Sequence, residues 1–206
     1  MRPILYSTPF CPYGWSTRIV LHEKGVDFET FDVDLKSEQP EFLAVSPTGR
    51  APVFVDGETS IVDALVINEY IEEMHPEPNL LGADPSERAV VRSALIDHDW
   101  IRSQPLARLM SMMLYQPERR EEEGVHRQLR KWYRYLDQLD AHFAENPWRL
   151  LDRYTLADIS IFTTLAISRG FGVPIGERTA LEDWLERMAE RASVRRAAPE
   201  RLPVTA

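Results

Sequence analysis

The sequence predicts an α/β domain over residues 1–78, followed by an all-α domain over residues 79–206. Strand and helix patterns alternate through the first eighty residues, and strand patterns end after Asp84-Pro85. Between the two parts, Pro76 and Pro78 interrupt a helical pattern and stiffen the chain, which is typical of a linker. The charge divides at the same place. Residues 1–80 hold 14 acidic and 5 basic side chains, whereas residues 81–206 hold 19 of each, which indicates two units with different surfaces.

The N-terminal part is predicted to contain four strands and three helices. Alternation of apolar and polar residues predicts the strands, and helical spacing of apolar residues predicts the helices. The strands cover 3–7, 28–33, 52–55 and 60–62, and the helices cover 13–24, 35–45 and 63–74. Asp56-Gly57 joins the last two strands as a hairpin turn. The order β-α-β-α-β-β-α is the thioredoxin-like arrangement, in which the crossover requires a parallel strand pair and the hairpin an antiparallel one.

The C-terminal part is predicted to be a helical bundle. Helical patterns cover 86–115, 118–145, 156–169 and 180–192. Pro105 is expected to kink the first of these helices. Thr155-Leu156-Ala157-Asp158 is a capping box with aspartate at its fourth position, and the helix after it is apolar on nearly all sides, which predicts a central place in the bundle. A basic stripe at helical spacing is expected to be a solvated face, and it comprises Arg127, Arg130, Lys131 and Arg134.

Composition excludes several classes of protein. The 206 residues are 44% apolar and 28% charged, and no run approaches the ~18 apolar residues of a bilayer span. The net charge of −9 argues against a nucleic-acid-binding surface. A single cysteine excludes an intrachain disulfide and a cysteine zinc cage, and the scatter of five histidines predicts no metal site. The single cysteine and an N-terminus without a signal-peptide pattern predict a cytoplasmic location.

Cys11 is the strongest candidate for chemistry. It follows the first predicted strand, and Pro12 after it suits the first turn of a helix because proline lacks the N–H that would be unpaired there. Unpaired N–H groups and a partial positive charge at a helix N-terminus stabilise a thiolate. We therefore expect Cys11 to be a nucleophile, the alternative being a small buried apolar side chain. Because position 14 is glycine, any thiol chemistry needs an outside thiol as its partner.

Two further positions predict a peptide-binding site. In thioredoxin-like sheets a cis-proline occupies the place of Pro52, and it turns the backbone N–H and C=O of the preceding residue, Ala51, toward an extended ligand. The alternative is an ordinary proline at the start of a strand. Asp63-Ala64 begins the third predicted helix, where backbone N–H groups can bind a carboxylate. Asp63 could pair with an amino group there or act only as the helix N-cap, and the sequence favours neither.

Six motifs in order carry a family resemblance over nearly the whole chain. They are Leu5-Tyr6-Ser7, Cys11-Pro12-Tyr13, Glu23-Lys24-Gly25-Val26, the run from Ser46 to Val53, the run from Val62 to Ile71, and the run from Thr155 to Ile159. On these motifs the chain resembles the glutathione S-transferase superfamily. The resemblance implies a thioredoxin-like N-terminal domain, an all-helical C-terminal domain and, usually, a homodimer. Apolar groups expected to be exposed around Phe54 and Met74 are consistent with a dimer.

Two subgroups of the superfamily are similar to the chain. Cys11-Pro12-Tyr13 with Leu35-Lys36 is similar to the omega-like, cysteine-type transferases, which form mixed disulfides with glutathione. The run from Glu23 to Glu29 and the stretch from His75 to Pro85 are similar to the stringent starvation protein A group, which binds RNA polymerase and lacks transferase activity. Neither pattern is complete. Ala64 stands where most of the superfamily has a serine, and the starvation-protein stretch Leu-Leu-Trp-Arg-Leu is replaced by residues 164–169.

The transferase resemblance implies a role for each candidate residue. The backbone of Ala51, next to Pro52, would hold the cysteinyl part of glutathione, and Asp63 with the N–H of Ala64 would hold its γ-glutamyl part. Arg50 would reach the glycyl carboxylate, and Cys11 would attack a glutathionylated thiol or lie beside the glutathione sulfur. A hydrophobic electrophile would pack against the helix carrying Trp100, Ile101, Gln104 and Arg108. In the alternative, the acidic N-terminal domain and the loop 75–78 would bind a basic surface of RNA polymerase.

Overall fold

Four short strands form one mixed sheet in the N-terminal part of the chain. The computed structural model describes residues 2–101, 106, 107, 109, 123–173 and 175–199. The strands are β1 (Ile4–Ser7), β2 (Glu29–Asp32), β3 (Val53–Asp56) and β4 (Thr59–Val62), in the order β2-β1-β3-β4. β1 pairs in parallel with β2 and antiparallel with β3, and β3 and β4 form the predicted hairpin. These pairings confirm the thioredoxin-like arrangement.

Helices cover the sheet and are the main elements of the rest of the described chain. Their bounds are α1 (Pro12–Glu23), α2 (Pro40–Val45), α3 (Ala64–Met74), α4 (Pro85–Ile101), α5 (Glu123–Glu145), α6 (Leu156–Gly170), α7 (Thr179–Ala189) and α8 (Ala192–Ala197). None of these helices is long and apolar enough to cross a membrane. The strand-bearing part ends with α3, and from α4 onward the elements among the described residues are helices and one isolated β-bridge between Leu150 and Arg153. The boundary between residues 78 and 79 stays a prediction.

The second helix and the last helix differ from the prediction. The prediction of a helix from Leu35 was wrong, because α2 begins only at Pro40. Before it, the Asp34 carboxylate accepts from the Lys36 N–H and the Gln39 side chain accepts from the Asp34 N–H, so these polar side chains hold a turn instead. The helix predicted to run to residue 192 ends at Ala189, and a separate short helix, α8, follows. Pro105 and its predicted kink lie outside the described residues.

Helix α6 lies at the centre of the molecule, as its apolar sequence predicts. Most of its side chains are buried, and it packs against both α1 and α4. Trp15 of α1 meets Phe162 of α6 edge to face, with ring centroids 5.6 Å apart. The capping box is confirmed, since the Thr155 side chain accepts from the Ala157 N–H and the Asp158 carboxylate accepts from the Thr155 N–H. The central helix therefore fixes the position of α1, which carries Cys11 at its start.

A buried ion pair joins the first domain to the chain that leaves it. Lys24, at the end of α1, pairs with Glu72 of α3, and both side chains are almost fully buried. The Lys24 ammonium also donates to the Pro78 carbonyl, and the Glu72 carboxylate accepts from the N–H groups of Leu80 and Leu81. A buried charge is tolerated only when it is paired and hydrogen-bonded, and this cluster meets that condition.

The exposed side chains correct one expectation and confirm another. Phe54 is only 2% exposed and packs against Tyr70 under the sheet, so it is not part of an exposed apolar surface. Its position on β3 turns it toward the core, because successive side chains of a strand point to opposite faces. Met74, in contrast, is 55% exposed. The four basic residues of the stripe on α5 are exposed, as predicted.

Candidate active site

Cys11 occupies the N-cap position of α1, between β1 and the helix. Its carbonyl accepts from the Trp15 N–H at 2.9 Å and its own N–H donates to the Thr8 carbonyl at 3.3 Å. Pro12 is the first helical residue, as the sequence predicts. The thiol makes no capping hydrogen bond and is partly exposed. A sulfur atom in this position can reach a ligand, and its activation by the helix N-terminus stays a prediction.

The start of α1 packs very closely on β1. Ser7 is fully buried, and its hydroxyl donates to the Thr8 carbonyl. A Cβ atom added at Gly14 would fall on the Ser7 hydroxyl and lie 2.8 Å from the Ser7 Cβ. Only glycine therefore allows the first turn of α1 to lie where it does, and this packing fixes the backbone that presents Cys11.

The Ala51–Pro52 peptide bond is cis, as the place of Pro52 in a thioredoxin-like sheet predicts. Pro52 directly precedes β3, and its carbonyl accepts from the Asp63 N–H at 3.3 Å. Pro52 is buried whereas Ala51 is partly exposed. This pair of residues therefore joins the start of β3 to the start of α3.

Asp63 is the N-cap of α3 and carries more than one interaction. Its Oδ1 accepts from the Leu65 N–H at 2.9 Å, which confirms the capping interpretation. Its Oδ2 lies 3.7 Å from the Arg50 guanidinium, and both side chains remain well exposed. The residue has a φ of 87°, a left-handed conformation that is uncommon outside glycine and that recurs at ligand sites. Ala64, next in the chain, is 1% exposed.

These residues meet in one cleft of about 320 Å³, which we call the Pro52 cleft. It brings together five residues predicted from the sequence, namely Arg50, Ala51, Pro52, Asp63 and Ala64. Tyr13, Val62 and Asp99 complete the wall. The volume falls within the range of small-molecule sites. Cys11 is not among the residues that line the cleft, but it is the N-cap of the helix that carries Tyr13 and lies two residues before it.

Sequence reasoning missed Tyr13 and Asp99 as site residues. The Tyr13 hydroxyl donates to Asp99 Oδ1 at 2.7 Å, linking α1 to α4 across the wall of the cleft. Tyr13 had a local signal, since it lies in the Cys11-Pro12-Tyr13 motif. Asp99 had none, because only the fold brings α4 beside the start of α1.

The remaining predictions concern the electrophile and a metal. Trp100 is 65% exposed and Ile101 is partly buried at the end of α4, whereas Gln104 and Arg108 lie outside the described residues. Among the residues that the structure describes, no three histidine, cysteine, aspartate or glutamate side chains group so that they could hold a metal ion.

Comparison with known proteins decides the family. The model of the glutathione S-transferase N-terminal domain matches residues 5–79, and that of the C-terminal domain matches residues 104–192. The chain is 31% identical to a maleylacetoacetate isomerase of Pseudomonas aeruginosa over 207 residues, covering 93% of each chain. The chain belongs to the glutathione S-transferase superfamily. It is also 31% identical to glutathione S-transferase F10 of Arabidopsis thaliana, covering 85% of this chain and 86% of that one.

A solved structure shares the fold of this chain. A glutathione transferase family member from Pseudomonas fluorescens, solved with two glutathione molecules bound, is 23% identical to this chain, and the match covers 96% of this chain and 92% of that one. The TM-score is 0.85, which shows a shared fold. Glutathione is the substrate common to the superfamily. The chain is a member of a glutathione-dependent transferase family.

Proposed function

We propose that this glutathione S-transferase catalyses thiol transfer with Cys11 as the nucleophile and glutathione bound in the Pro52 cleft. The observation that carries the proposal is the assembly of the cleft from the β3 and α3 starts, with Tyr13 of the α1 first turn in its wall. Cys11, the only cysteine of the chain, is partly exposed at the start of the same turn.

The charges of the cleft fit the two ends of glutathione. Arg50 supplies a cation for the glycyl carboxylate, and Asp63 supplies an anion for the γ-glutamyl ammonium. Arg50 and Asp63 now pair with one another at 3.7 Å. Because an exposed ion pair contributes only about 0–1 kcal/mol, exchanging it for two ion pairs with the ligand costs little. The backbone of Ala51 pairs with the cysteinyl unit as a neighbouring strand would.

The chemistry requires only one protein thiol. The Cys11 thiolate attacks the glutathione sulfur of a mixed disulfide, which forms a bond between Cys11 and glutathione and releases the other thiol as its thiolate. A second glutathione thiolate then attacks the sulfur of the bound glutathione. Glutathione disulfide leaves, and the Cys11 thiolate is restored. In each cycle one mixed disulfide is reduced to its free thiol, and one glutathione thiol is oxidised as it joins the glutathionyl group taken from the substrate.

The decisive experiment compares the native enzyme with Cys11→Ser. Incubation with glutathione disulfide should add one glutathionyl group to the native chain and none to the variant, as read by mass spectrometry. Reduction of a glutathionylated peptide by glutathione should fall to the uncatalysed rate in the variant. A variant that keeps its turnover refutes the nucleophile assignment.

The cleft is tested separately with Arg50→Gln. We expect a higher KM for glutathione with little change in kcat, because Arg50 holds a remote end of the substrate. Arg130→Gln is the matched control, since Arg130 is an exposed arginine of the basic stripe on α5. Equal effects of the two substitutions would contradict the assignment of Arg50.

The exposed acidic surface of the first domain favours a second candidate, a non-catalytic role like that of the stringent starvation protein A group. Exposed acids follow the edge strand β2 and the linker, among them Glu29, Asp32, Asp34 and Glu77. Such a surface attracts a basic partner and speeds association. Salt-sensitive binding to purified RNA polymerase, unchanged in Cys11→Ser, would support this role, and absence of binding at low salt would exclude it.

We also propose that the enzyme is a homodimer. Val66 and Met74 are 56% and 55% exposed and share one face of α3, since they lie eight residues apart. Arg92 of α4 pairs through two hydrogen bonds with Glu69 of α3, which holds the two helices side by side. A second copy would cover this apolar face, which is otherwise in contact with water.

A further inference from the structure

The hydrogen bond between Tyr13 and Asp99 joins the two parts of the molecule close to the thiol. Tyr13 lies two residues after Cys11 in α1, whereas Asp99 belongs to α4. Donor and acceptor are 86 residues apart in the chain, and the 2.7 Å between the Tyr13 hydroxyl and Asp99 Oδ1 is a usual distance for a hydroxyl that donates to a carboxylate. The helical domain therefore holds the turn that carries the nucleophile proposed above.

Asp99 is held in place from the interior by its neighbour in the sequence, His98. His98 is 3% exposed, and its Nε2 lies 2.9 Å from the Thr164 hydroxyl and 3.1 Å from the Ser160 carbonyl, both in α6. Its Nδ1 is hydrogen-bonded to the Tyr135 hydroxyl of α5. Because neighbouring residues of a helix point about 100° apart, α4 places His98 in the core and Asp99 toward α1. The carboxylate is therefore a fixed point for Tyr13.

The Cys11 end of this contact has weaker restraints of its own. The Cys11 side chain makes no capping hydrogen bond, and the Cys11 N–H reaches the Thr8 carbonyl only at 3.3 Å. Tyr13 is held at both ends, since its carbonyl accepts from the Ser16 hydroxyl at 2.7 Å and its own hydroxyl donates to Asp99. A displacement of Tyr13 would therefore carry the Cys11 side chain with it.

We infer, on the basis of the proposed function, that Asp99 is a positioning residue for the reaction of Cys11. Asp99 holds Tyr13, and it thereby sets the line along which the Cys11 sulfur meets the sulfur of glutathione in the Pro52 cleft. Tyr13 and Asp99 line that cleft whereas Cys11 does not, so the thiol has to be directed into the cleft from its edge. Asp99 itself touches no reacting atom. Misplacing a reacting group by about 1 Å can cost on the order of 10²-fold in rate.

The experiment measures how fast glutathione disulfide adds a glutathionyl group to Cys11 in the full chain. Tyr13→Phe and Asp99→Leu each remove the hydrogen bond, so each should lower the maximal rate about tenfold and leave the half-saturating disulfide concentration nearly unchanged. The two losses should not multiply in the double variant, because either change alone removes the same contact. Asp99→Asn keeps an oxygen that accepts from Tyr13, and it should lower the rate only about two- to threefold.

Two controls separate positioning from damage to the fold or to the thiol. Asp97→Leu is the matched substitution, since Asp97 is an exposed acid on the same turn of α4, and it should react at the native rate. Iodoacetamide alkylates Cys11 without any need for bound glutathione. Its rate should therefore stay within about twofold of the native rate in Tyr13→Phe and Asp99→Leu, because alkylation reports the amount and exposure of the thiolate.

Four results would overturn the inference. They are glutathionylation of Tyr13→Phe at the native rate, losses that multiply in the double variant, an equal fall in the rate of alkylation, and a raised half-saturating concentration with an unchanged maximal rate in Asp99→Leu. The last result would make Asp99 a binding group. A native chain that takes up no glutathionyl group at Cys11 would refute the proposed function together with the inference, whereas each of the four results leaves native glutathionylation intact, so the two failures are distinguishable.

Discussion

Gly14→Ala tests whether the close packing of α1 on β1 is what presents Cys11. The added methyl group would fall on the hydroxyl of the buried Ser7 and 2.8 Å from its Cβ. Ser7 cannot turn away, because its hydroxyl is held by the Thr8 carbonyl and approached by Arg18. The first turn of α1 must therefore move away from the sheet, and Cys11 must move with it.

The expected cost follows from two opposing effects. Overpacking a buried site costs typically 1–3 kcal/mol, and this site is at the upper end because the obstacle is buried and held. Alanine is favoured over glycine in a helix by up to about 1 kcal/mol. The net loss in the free energy of unfolding is roughly 2 kcal/mol. In a chain of this size that corresponds to a fall in Tm of about 4–8 °C.

The assay combines thermal unfolding with the rate of glutathionylation at Cys11. Ser7→Gly should restore both properties to Gly14→Ala, because it removes both obstructing atoms. The matched control is Gly124→Ala in α5, where an added Cβ meets nothing within 4 Å and stability should hold or rise. If Gly14→Ala were as stable and as reactive as the native chain, the reasoning about this contact would be wrong.

Three further predictions concern the ligand, the pH and the assembly. Ala64→Ser should tighten glutathione binding about tenfold in calorimetry, because a hydrogen bond from a hydroxyl to a carboxylate contributes roughly 1.5–3 kcal/mol, and less where water competes for the same groups. An unchanged affinity would mean that the γ-glutamyl end of glutathione lies elsewhere. Burial raises the pKa of Asp158 to about 6, so the folded state binds the carboxyl proton more tightly than the unfolded state does. The contribution of Asp158 to the free energy of unfolding should therefore fall by roughly 3 kcal/mol as pH rises from about 4 to 6. Urea titrations of the native chain and Asp158→Asn should show this difference, and a pH-independent difference would contradict it. Light scattering should give a dimer mass, twice 23.8 kDa, for the native chain and for the control Leu35→Glu, but the monomer mass of 23.8 kDa for Val66→Glu. A monomeric native chain would refute the dimer.

The sequence was sufficient for most of the fold because local patterns and global packing agree. Apolar periodicity located β1, α3 and the central helix α6, and Asp56-Gly57 located the hairpin. It was insufficient at Leu35, where an apolar residue suggested a helix but Asp34 and Gln39 bind the backbone as a turn. The prediction that Phe54 lies near an exposed apolar surface was also wrong, because a strand pattern does not show which face of the sheet a helix will cover.

The candidate site was predictable where a residue is special by its own chemistry. Cys11 is the only thiol, Pro52 precedes a strand, and Asp63 caps a helix, and each of these properties is visible in the sequence. Asp99 was not predictable, because an aspartate on a solvated helix looks the same whether or not Tyr13 reaches it. The link between Arg50 and Asp63 depends on the distance between two loops, which only the folded chain defines.

The buried pair of Lys24 and Glu72 has a consequence for the modularity of the protein. These side chains bind the chain at Pro78, Leu80 and Leu81, so the first stretch of the helical domain completes the polar core of the domain before it. A chain cut after residue 78 would keep both charges but lose the two N–H groups that the Glu72 carboxylate accepts from. In a chimera of two relatives, residues 78–81 therefore have to be inherited together with α1 and α3. Recombination at the apparent border between the domains would leave an unmatched charge cluster, and a crossover point beyond Leu81 would preserve it.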